Sequence, residues 1–342
     1  MPPKTFRRIV LARPIDGAPD MAHFRLEEAP LPALAEGQFL IRTLLVSVDP
    51  GTRSRLSAGA SYAAPLEVGQ VIDGFAVGEV VESRHPKWAV GDRLACASGW
   101  ADYLVTDGRG FFGKITDDRV PLSVWIGVLG VPGMTAYFGL KRVAHLQPGE
   151  QVLITSAAGP VGATAGQLAK AWGAGRVVGV AGEAAKGQWL KDNAGFDATI
   201  AYRGLTDWAS ALGQACPNGV DVLFDNVGNA MIDRVLPFMN KGGRIVISGQ
   251  VGDYNTPHDQ RVGVTKTAYF IANRLRMEGL VVFDDIRGFA AAQREMADMI
   301  VGGQLQRREI FYEGLDSAPR AFADLFSSPD FGRRIVKVAE PT

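Results

Sequence analysis

The sequence predicts an α/β protein: a Rossmann-type doubly wound parallel sheet joined to a smaller, mostly-β module. Two textures carry this reading. From Gln151 onward, near-continuous apolar runs alternate with helical patterns: QVLITS then VGATAGQLAKAWG, RVVGVA then AAKGQWLKDNAG, ATIAY then LTDWASALGQAC, VDVLFDN then NAMIDRVLPFMN, and GRIVISG. Such alternation is the mark of βαβ units, and uniformly apolar strands are expected where helices cover both faces of a parallel sheet. Before that point, roughly the first 125 residues are rich in Gly and Pro and carry short runs such as FLIRTLLVSVD, GFAVGEVVES and DRLACA between turn clusters, the pattern of a mostly-β module.

Later elements follow the same logic. MEGLVVFD reads as a strand and the stretch from about Ile286 to Gly302 as a long helix, after which QRREIFYEG, SAPRAFADLF and RRIVKVA return to a mixed β pattern. The tail is therefore expected to rejoin the first module. This sets the expected division at 1–130 for the first domain, 131–302 for the nucleotide-binding domain and 303–342 for the return.

Composition narrows the function classes. The 342 residues carry a formal net charge of +0, with 47% hydrophobic and 21% charged residues, ordinary for a protein with a large core. A balanced charge offers no electrostatic reason to expect nucleic acid or a membrane surface as partner. No apolar stretch approaches the roughly 20 residues of a membrane helix, and MPPKTFRRIVLARPIDG is too polar and broken for a signal peptide. The two cysteines, Cys96 and Cys216, lack a CxxC companion, so a cytoplasmic protein with plain thiols and a small-molecule substrate is expected.

The segment SAAGPVG (156–162) is the first candidate site. Ala157, Gly159 and Gly162 fill the three positions of G-x-G-x-x-G, with Ala for the first glycine, between an apolar strand and the helical pattern VGATAGQLAKAWG. A dinucleotide needs a tight turn there, a backbone without Cβ atoms near its pyrophosphate, and exposed helix N–H groups facing the anion. Gly166 adds a small residue where the helix must pack on the strand. An Ala/Gly-rich turn can also be plain packing, but the strand before, the helix after and the strand RVVGVA favour the nucleotide.

The cofactor choice rests on the end of that second strand, where an NAD site carries an acid and an NADP site offers cations to the 2′-phosphate. The strand ends at Gly182. Glu183 is a conceivable ribose ligand, yet Lys186 stands four residues past Gly182, and the third strand runs into Tyr202 and Arg203. Hydrogen bonds to a charged group contribute about 1.5–3 kcal/mol each, so Lys186 with a phenol and Arg203 favours NADPH over NADH; a solvated surface lysine is the plain alternative. No metal is expected: His23, His85, His145 and His258 are scattered without a second ligand at i+3 or i+4, and no G-x-S-x-G elbow suggests a hydrolase. Hydride transfer without a metal remains.

At this point the chain resembles the zinc-free medium-chain dehydrogenase/reductase superfamily, within it the alkenal/one oxidoreductases, prostaglandin reductases and bacterial curcumin reductases. The residues that carry the resemblance are AAGPVG (157–162), GQLAK (166–170), VVGVAG (177–182) with Lys186, GFD (195–197), FDNVG (224–228), GRIVISGQVGDYN (243–255), RMEG (276–279) and GRRIVKV (332–338). It implies a GroES-like catalytic first domain and a common homodimer joined through the Rossmann sheets. Cofactor contacts are implied at Gly159, Pro160, Val161 and Gly162, at Lys186, Tyr202 and Asn226, in the segment from Ser248 and Gly249 to Tyr254, and at the backbone of Leu280, Val281 and Val282.

The implied activity is NADPH-dependent reduction of a C=C bond conjugated to a ketone or aldehyde. Hydride goes to the β-carbon, and Tyr254 is placed at the carbonyl oxygen as a neutral donor or, failing that, as a pocket wall. A quinone reductase and a non-catalytic NADPH-binding regulator are the rival readings. Two departures stand out. Gly51 in Asp49-Pro50-Gly51-Thr52-Arg53 replaces the tyrosine of D-P-Y-M-R, which implies a wider or differently shaped pocket. Asp330 replaces an asparagine that helps hold the cofactor, and a carboxylate beside a pyrophosphate is unfavourable unless protonated or turned away.

Overall fold

The computed structural model describes residues 2–57, 64–110, 112–256 and 260–341. In chain order the strands are β1 (Thr5–Leu11), β2 (Phe24–Pro30), β3 (Phe39–Ser47), β4 (Ala76–Ser83), β5 (Arg93–Cys96), β6 (Tyr103–Thr106) and β7 (Phe112–Lys114). The middle of the chain adds helix α1 (Val131–Phe138), β8 (Gln151–Ile154), α2 (Pro160–Ala171), β9 (Arg176–Ala181), α3 (Ala184–Ala194), β10 (Ala198–Ala201) and α4 (Trp208–Ala215). Then come β11 (Val220–Asp225), α5 (Asn229–Val235), β12 (Met239–Ile247), α6 (Ala268–Asn273), β13 (Arg276–Gly279) and α7 (Phe289–Val301). The tail supplies β14 (Glu309–Glu313), α8 (Ala318–Ser327) and β15 (Arg333–Lys337).

Two compact units result: Met1–Ile126 with Tyr254–His258 and Glu309–Thr342, and Gly127–Asp253 with Asp259–Arg308. The first unit holds a seven-stranded sheet of order β14-β15-β3-β4-β5-β7 with β6 also on β3, and a separate β1-β2 pair. β15 runs antiparallel to β3, so the end of the chain completes a sheet begun near its start. Its core centres on Trp100, buried against Phe24 and Phe322 with ring centroids 5.6 and 5.8 Å away, while the indole N–H donates to the Ser47 carbonyl at 3.2 Å. That bond gives a buried polar atom its partner and ties the core to β3.

The second unit is a six-stranded sheet of order β10-β9-β8-β11-β12-β13, every neighbouring pair parallel. Counted from β8 this is 3-2-1-4-5-6, the doubly wound order whose direction reverses between β8 and β11. β8 to β11 lie in apolar runs named from the sequence, whereas β12 begins at Met239, before GRIVISG, and β13 overlaps MEGLVVFD only at 277–279. Two stretches differ from expectation. SAPRAFADLF forms α8 rather than β structure: Pro319 occupies the first turn, and Ala318, Ala321 and Phe322 bury one face, a helical spacing that short apolar runs disguise. The strand β13 stops at Gly279, and Val282–Gly288 is a 3-10 segment leading into α7.

The βα packing depends on missing Cβ atoms. A Cβ at Gly166 on α2 would lie 2.1 Å from the ring of Phe196, and one at Gly162 would lie 2.6 Å from the Ser156 carbonyl oxygen. Gly166→Ala is therefore expected to destabilise the protein by about 1–3 kcal/mol through overpacking. Urea unfolding checks this, and the same substitution made beside Phe196→Leu should cost less, because the obstructing ring is gone.

Candidate functional site

The carboxyl end of the second unit's sheet gathers most of the residues singled out from the sequence. α2 starts at the head of β8 with Gly159 as N-cap and Pro160 at its first position, and no side chain caps it. Its first-turn N–H groups, which no helix carbonyl can reach, thus remain for an anion. The tight turn is made by Ser156, in the left-handed region at φ 48°, rather than by the residue that replaces the first glycine. Ala157 is instead fully buried, and a Cβ at Gly179 on β9 would come within 2.9 Å of its methyl group. An alanine fits here because the glycine lies across from it.

At the ends of β9 and β10 the backbone N–H of Tyr202 donates to Ala181 at 2.9 Å and that of Arg203 to Gly182 at 3.1 Å. These bonds bring the side chains to Gly182, where a Cβ would be 3.6 Å from Arg203 Nε and 3.8 Å from Tyr202 Oη. Glu183, the N-cap of α3, pairs with the Arg203 guanidinium. Lys186 lies half-buried in the first turn of the same helix, and Tyr202 is 41% exposed.

Between β8 and β11, at the reversal of the sheet, lies a network in which the sequence reading named Asn226 as a contact but gave no role to Thr155 or Asp225. Asp225 is fully buried; its carboxylate accepts from the Thr155 hydroxyl at 2.7 Å and from the Gly228 N–H at 2.7 Å. The Thr155 hydroxyl oxygen in turn accepts the Asn226 N–H, and the Asn226 side-chain amide donates to the Thr155 carbonyl, both at 2.8 Å. The loop after β12 docks on the same residues: Ser248 N–H on the Asp225 carbonyl at 2.8 Å, Val251 N–H on Asn226 at 3.1 Å and Gly252 N–H on Val227 at 3.0 Å. A Cβ at Gly249 would sit 3.3 Å from the Asn226 carbonyl oxygen. The available signal was an acid directly after the apolar run Val222, Leu223, Phe224.

Leu280 follows β13, its N–H bonded to the Ile247 carbonyl at 3.1 Å; Val281 is exposed and Val282 buried. Tyr254 is half-buried and belongs to the first unit, as do Gly51 and Asp330. The exposed Asp330 accepts Arg334 on its backbone carbonyl at 3.1 Å. Gly51 lies in the 3-10 turn Pro50–Arg55, its carbonyl accepting the Ser54 hydroxyl at 2.8 Å. His23 is buried and caps its own turn with Asp20, His85 sits edge-on to Phe39, and His258 lies outside the described residues. Among the described residues no group of three or more His, Cys, Asp or Glu could hold a metal ion. Burial pushes the Cys96 thiol up to about 12 and the Cys216 thiol up to about 11.

Known proteins place this architecture. Residues 7–113 match the family described as the N-terminal domain of oxidoreductase, and residues 160–300 the family described as zinc-binding dehydrogenase. The fold and the nucleotide-type crevice are thus those of a medium-chain dehydrogenase/reductase. Within that superfamily the chain belongs to the zinc-free reductase group. It is 38% identical to the NADPH-dependent curcumin reductase of Escherichia coli (strain K12), covering 97% of both chains. It is 36% identical to the 2-alkenal reductase (NADP(+)-dependent) of Nicotiana tabacum, again over 97% of both. The crystal structure of CurA in complex with NADPH from Vibrio vulnificus superposes with a TM-score of 0.90 at 34% identity, covering 98% of this chain and all of that one.

Asp225 carries a pH prediction. Removal from water pushes its carboxyl up to about 6; the bonds from Thr155, Gly228 and Val227 pull it down, and the charge of Asp253 pushes it up. A carboxyl that holds its proton more tightly folded than unfolded makes stability fall as pH rises from about 4 to about 6 and level off above. Asp225→Asn removes that slope. Urea unfolding from pH 4.5 to 7.5 should show the difference, wild type minus variant, shrinking by about 2 kcal/mol.

Proposed function

We propose that this chain is an NADPH-dependent reductase of C=C bonds conjugated to a ketone or aldehyde. The observation that carries the reading is full-length likeness to reductases named for NADPH and for 2-alkenals, on a sheet whose switch point is built to take a dinucleotide. The cradle fits the cofactor. Gly159 and Gly162 leave the mouth of α2 without side chains, and the Gly182 corner presents a phenol and a guanidinium where an NAD site would present an unopposed acid. The Glu183–Arg203 pair is partly exposed and therefore weak, so Arg203 can turn to a 2′-phosphate at little cost, with Lys186 on the adjoining helix turn. Asn226, Ser248, Gly249 and the backbone of Leu280 to Val282 complete the assigned cofactor contacts.

Bound there, NADPH supplies hydride to the β-carbon of the substrate. The chain's task is then to meet the negative charge that develops on the carbonyl oxygen and to admit a proton at the α-carbon. Tyr254 is the donor we assign to that oxygen, because a neutral phenol interacts weakly with a carbonyl and strongly with an enolate. A homodimer joined along β13 is supported by that strand's position at the sheet edge, with all four of its residues exposed, and by exposed Ile271 and Val281 beside it. Unpaired buried thiols support a reducing, cytoplasmic setting.

Lys186→Ala should weaken NADPH binding by roughly 10- to 100-fold, the equivalent of one charged hydrogen bond, and leave NADH nearly unchanged. Fluorescence titration with both cofactors checks this, and equal losses would make Lys186 structural.

Substrate class and Tyr254 are tested together by following NADPH absorbance at about 340 nm with 2-alkenals, enones and quinones. Turnover of the alkenals and enones is expected; turnover of quinones alone, or of nothing, would overturn the reading. With an enone, Tyr254→Phe should lower kcat and kcat/KM together by about 10²–10³, while NADPH affinity stays within a few-fold. An unchanged kcat would make Tyr254 a wall.

A further inference from the structure

Tyr254 lies in the segment Val251–Thr256, which forms turns and bends but no helix or strand. Nothing periodic fixes such a backbone, so its position is set by what holds the neighbouring residues. Asn255, the next residue, is held by an unusual group. Arg53 is only 2% exposed, and its guanidinium is spread over oxygens from three parts of the first unit. Its Nε donates to Asn255 Oδ1 at 3.0 Å, across 202 positions of sequence. One terminal nitrogen donates to the carbonyls of Gly17 at 2.8 Å and Ile15 at 3.3 Å, and the other to the Ser57 hydroxyl. Ser57 closes the arrangement by donating to Ile15 at 3.1 Å.

A buried cation is costly to solvate with protein oxygens, and a fold that needed only to fill this space would place an apolar residue there. Arginine does what neither an apolar residue nor lysine can: its rigid planar fork fixes several acceptors at once in set directions. One terminal nitrogen clamps residues 15–17 and the other holds Ser57, all within the same unit. The Nε–H is spent on the residue that follows Tyr254.

We propose that Arg53 is a positioning residue for Tyr254, acting through the Asn255 side chain to fix the backbone from which the phenol projects. The proposal rests on the assignment of Tyr254 to the carbonyl oxygen. A donor aimed at developing charge must be held to within a fraction of an ångström, and a misplacement of about 1 Å costs on the order of 10²-fold in rate. Loosening one of the anchors should cost less than that and leave cofactor binding alone.

The test uses Asn255→Ala, which removes the acceptor while leaving Arg53 its bonds to residues 15, 17 and 57. With NADPH and trans-2-hexenal, kcat should fall about tenfold, while NADPH affinity stays within about twofold. Amide hydrogen exchange of the peptide spanning 252–256 should quicken. The double variant with Tyr254→Phe should be no slower than Tyr254→Phe alone, and Asn255→Asp, which keeps an acceptor for Arg53, should recover most of the lost rate. Unchanged kcat in Asn255→Ala, or losses that multiply in the double variant, would overturn the proposal while leaving the phenol assignment intact. If Tyr254→Phe itself keeps full kcat, the phenol assignment falls, and this proposal falls with it.

Discussion

Withdrawn from water at the head of the central strand, the Asp225 carboxylate takes the Thr155 hydroxyl on one oxygen and the Gly228 N–H on the other. Loops leaving a parallel sheet must find partners for backbone groups that the ladder no longer pairs, and here one acid organises that accounting. Because Thr155 gives its proton to Asp225, its lone pair is turned to receive the Asn226 N–H, and the loop after β12 then docks on the carbonyls of residues 225–227. The ends of β8 and β11 thus meet through a single buried side chain, and the loop after β12 joins them through backbone carbonyls. Without it, the Thr155 hydroxyl and the Gly228 N–H would be left without their acceptor at the reversal of the sheet.

The second constraint is steric. Helix α2 approaches β8 and Phe196 so closely that two of its glycines have no room for a methyl group. That approach brings the helix mouth to the strand end, where a pyrophosphate gains most from unpaired N–H groups. Packing and binding are therefore one requirement at this corner, and the glycine pattern reads equally as either until the strand order is known.

The doubly wound sheet was legible because its physics is local and periodic. Each buried parallel strand is a continuous apolar run, and each crossover helix follows within a few residues. The same rule failed at SAPRAFADLF, where a ten-residue amphipathic helix and a half-buried strand offer similar apolar counts. What the sequence hid were couplings between distant residues. Arg53 and Asn255 are separated by 202 positions, and Thr155 and Asp225 by 70; neither spacing has a period to betray it. Glu183 shows another limit, since its role depends on a partner, Arg203, that only the sheet brings near. A left-handed serine in place of a glycine turn is likewise invisible, because Ser156 is unremarkable by composition and unusual only in φ.

The deep placement of the two thiols has a chemical consequence under the proposed activity on enals. Such molecules are soft electrophiles, and their commonest target in a protein is a cysteine thiolate adding to the β-carbon. Here the sulfur atoms are enclosed, Cys96 in the first unit's core and Cys216 behind α4. Burial raises both thiols well above the ordinary cysteine range, so each holds its proton at neutral pH. Neither sulfur is therefore presented as a thiolate to an electrophile in the surrounding water.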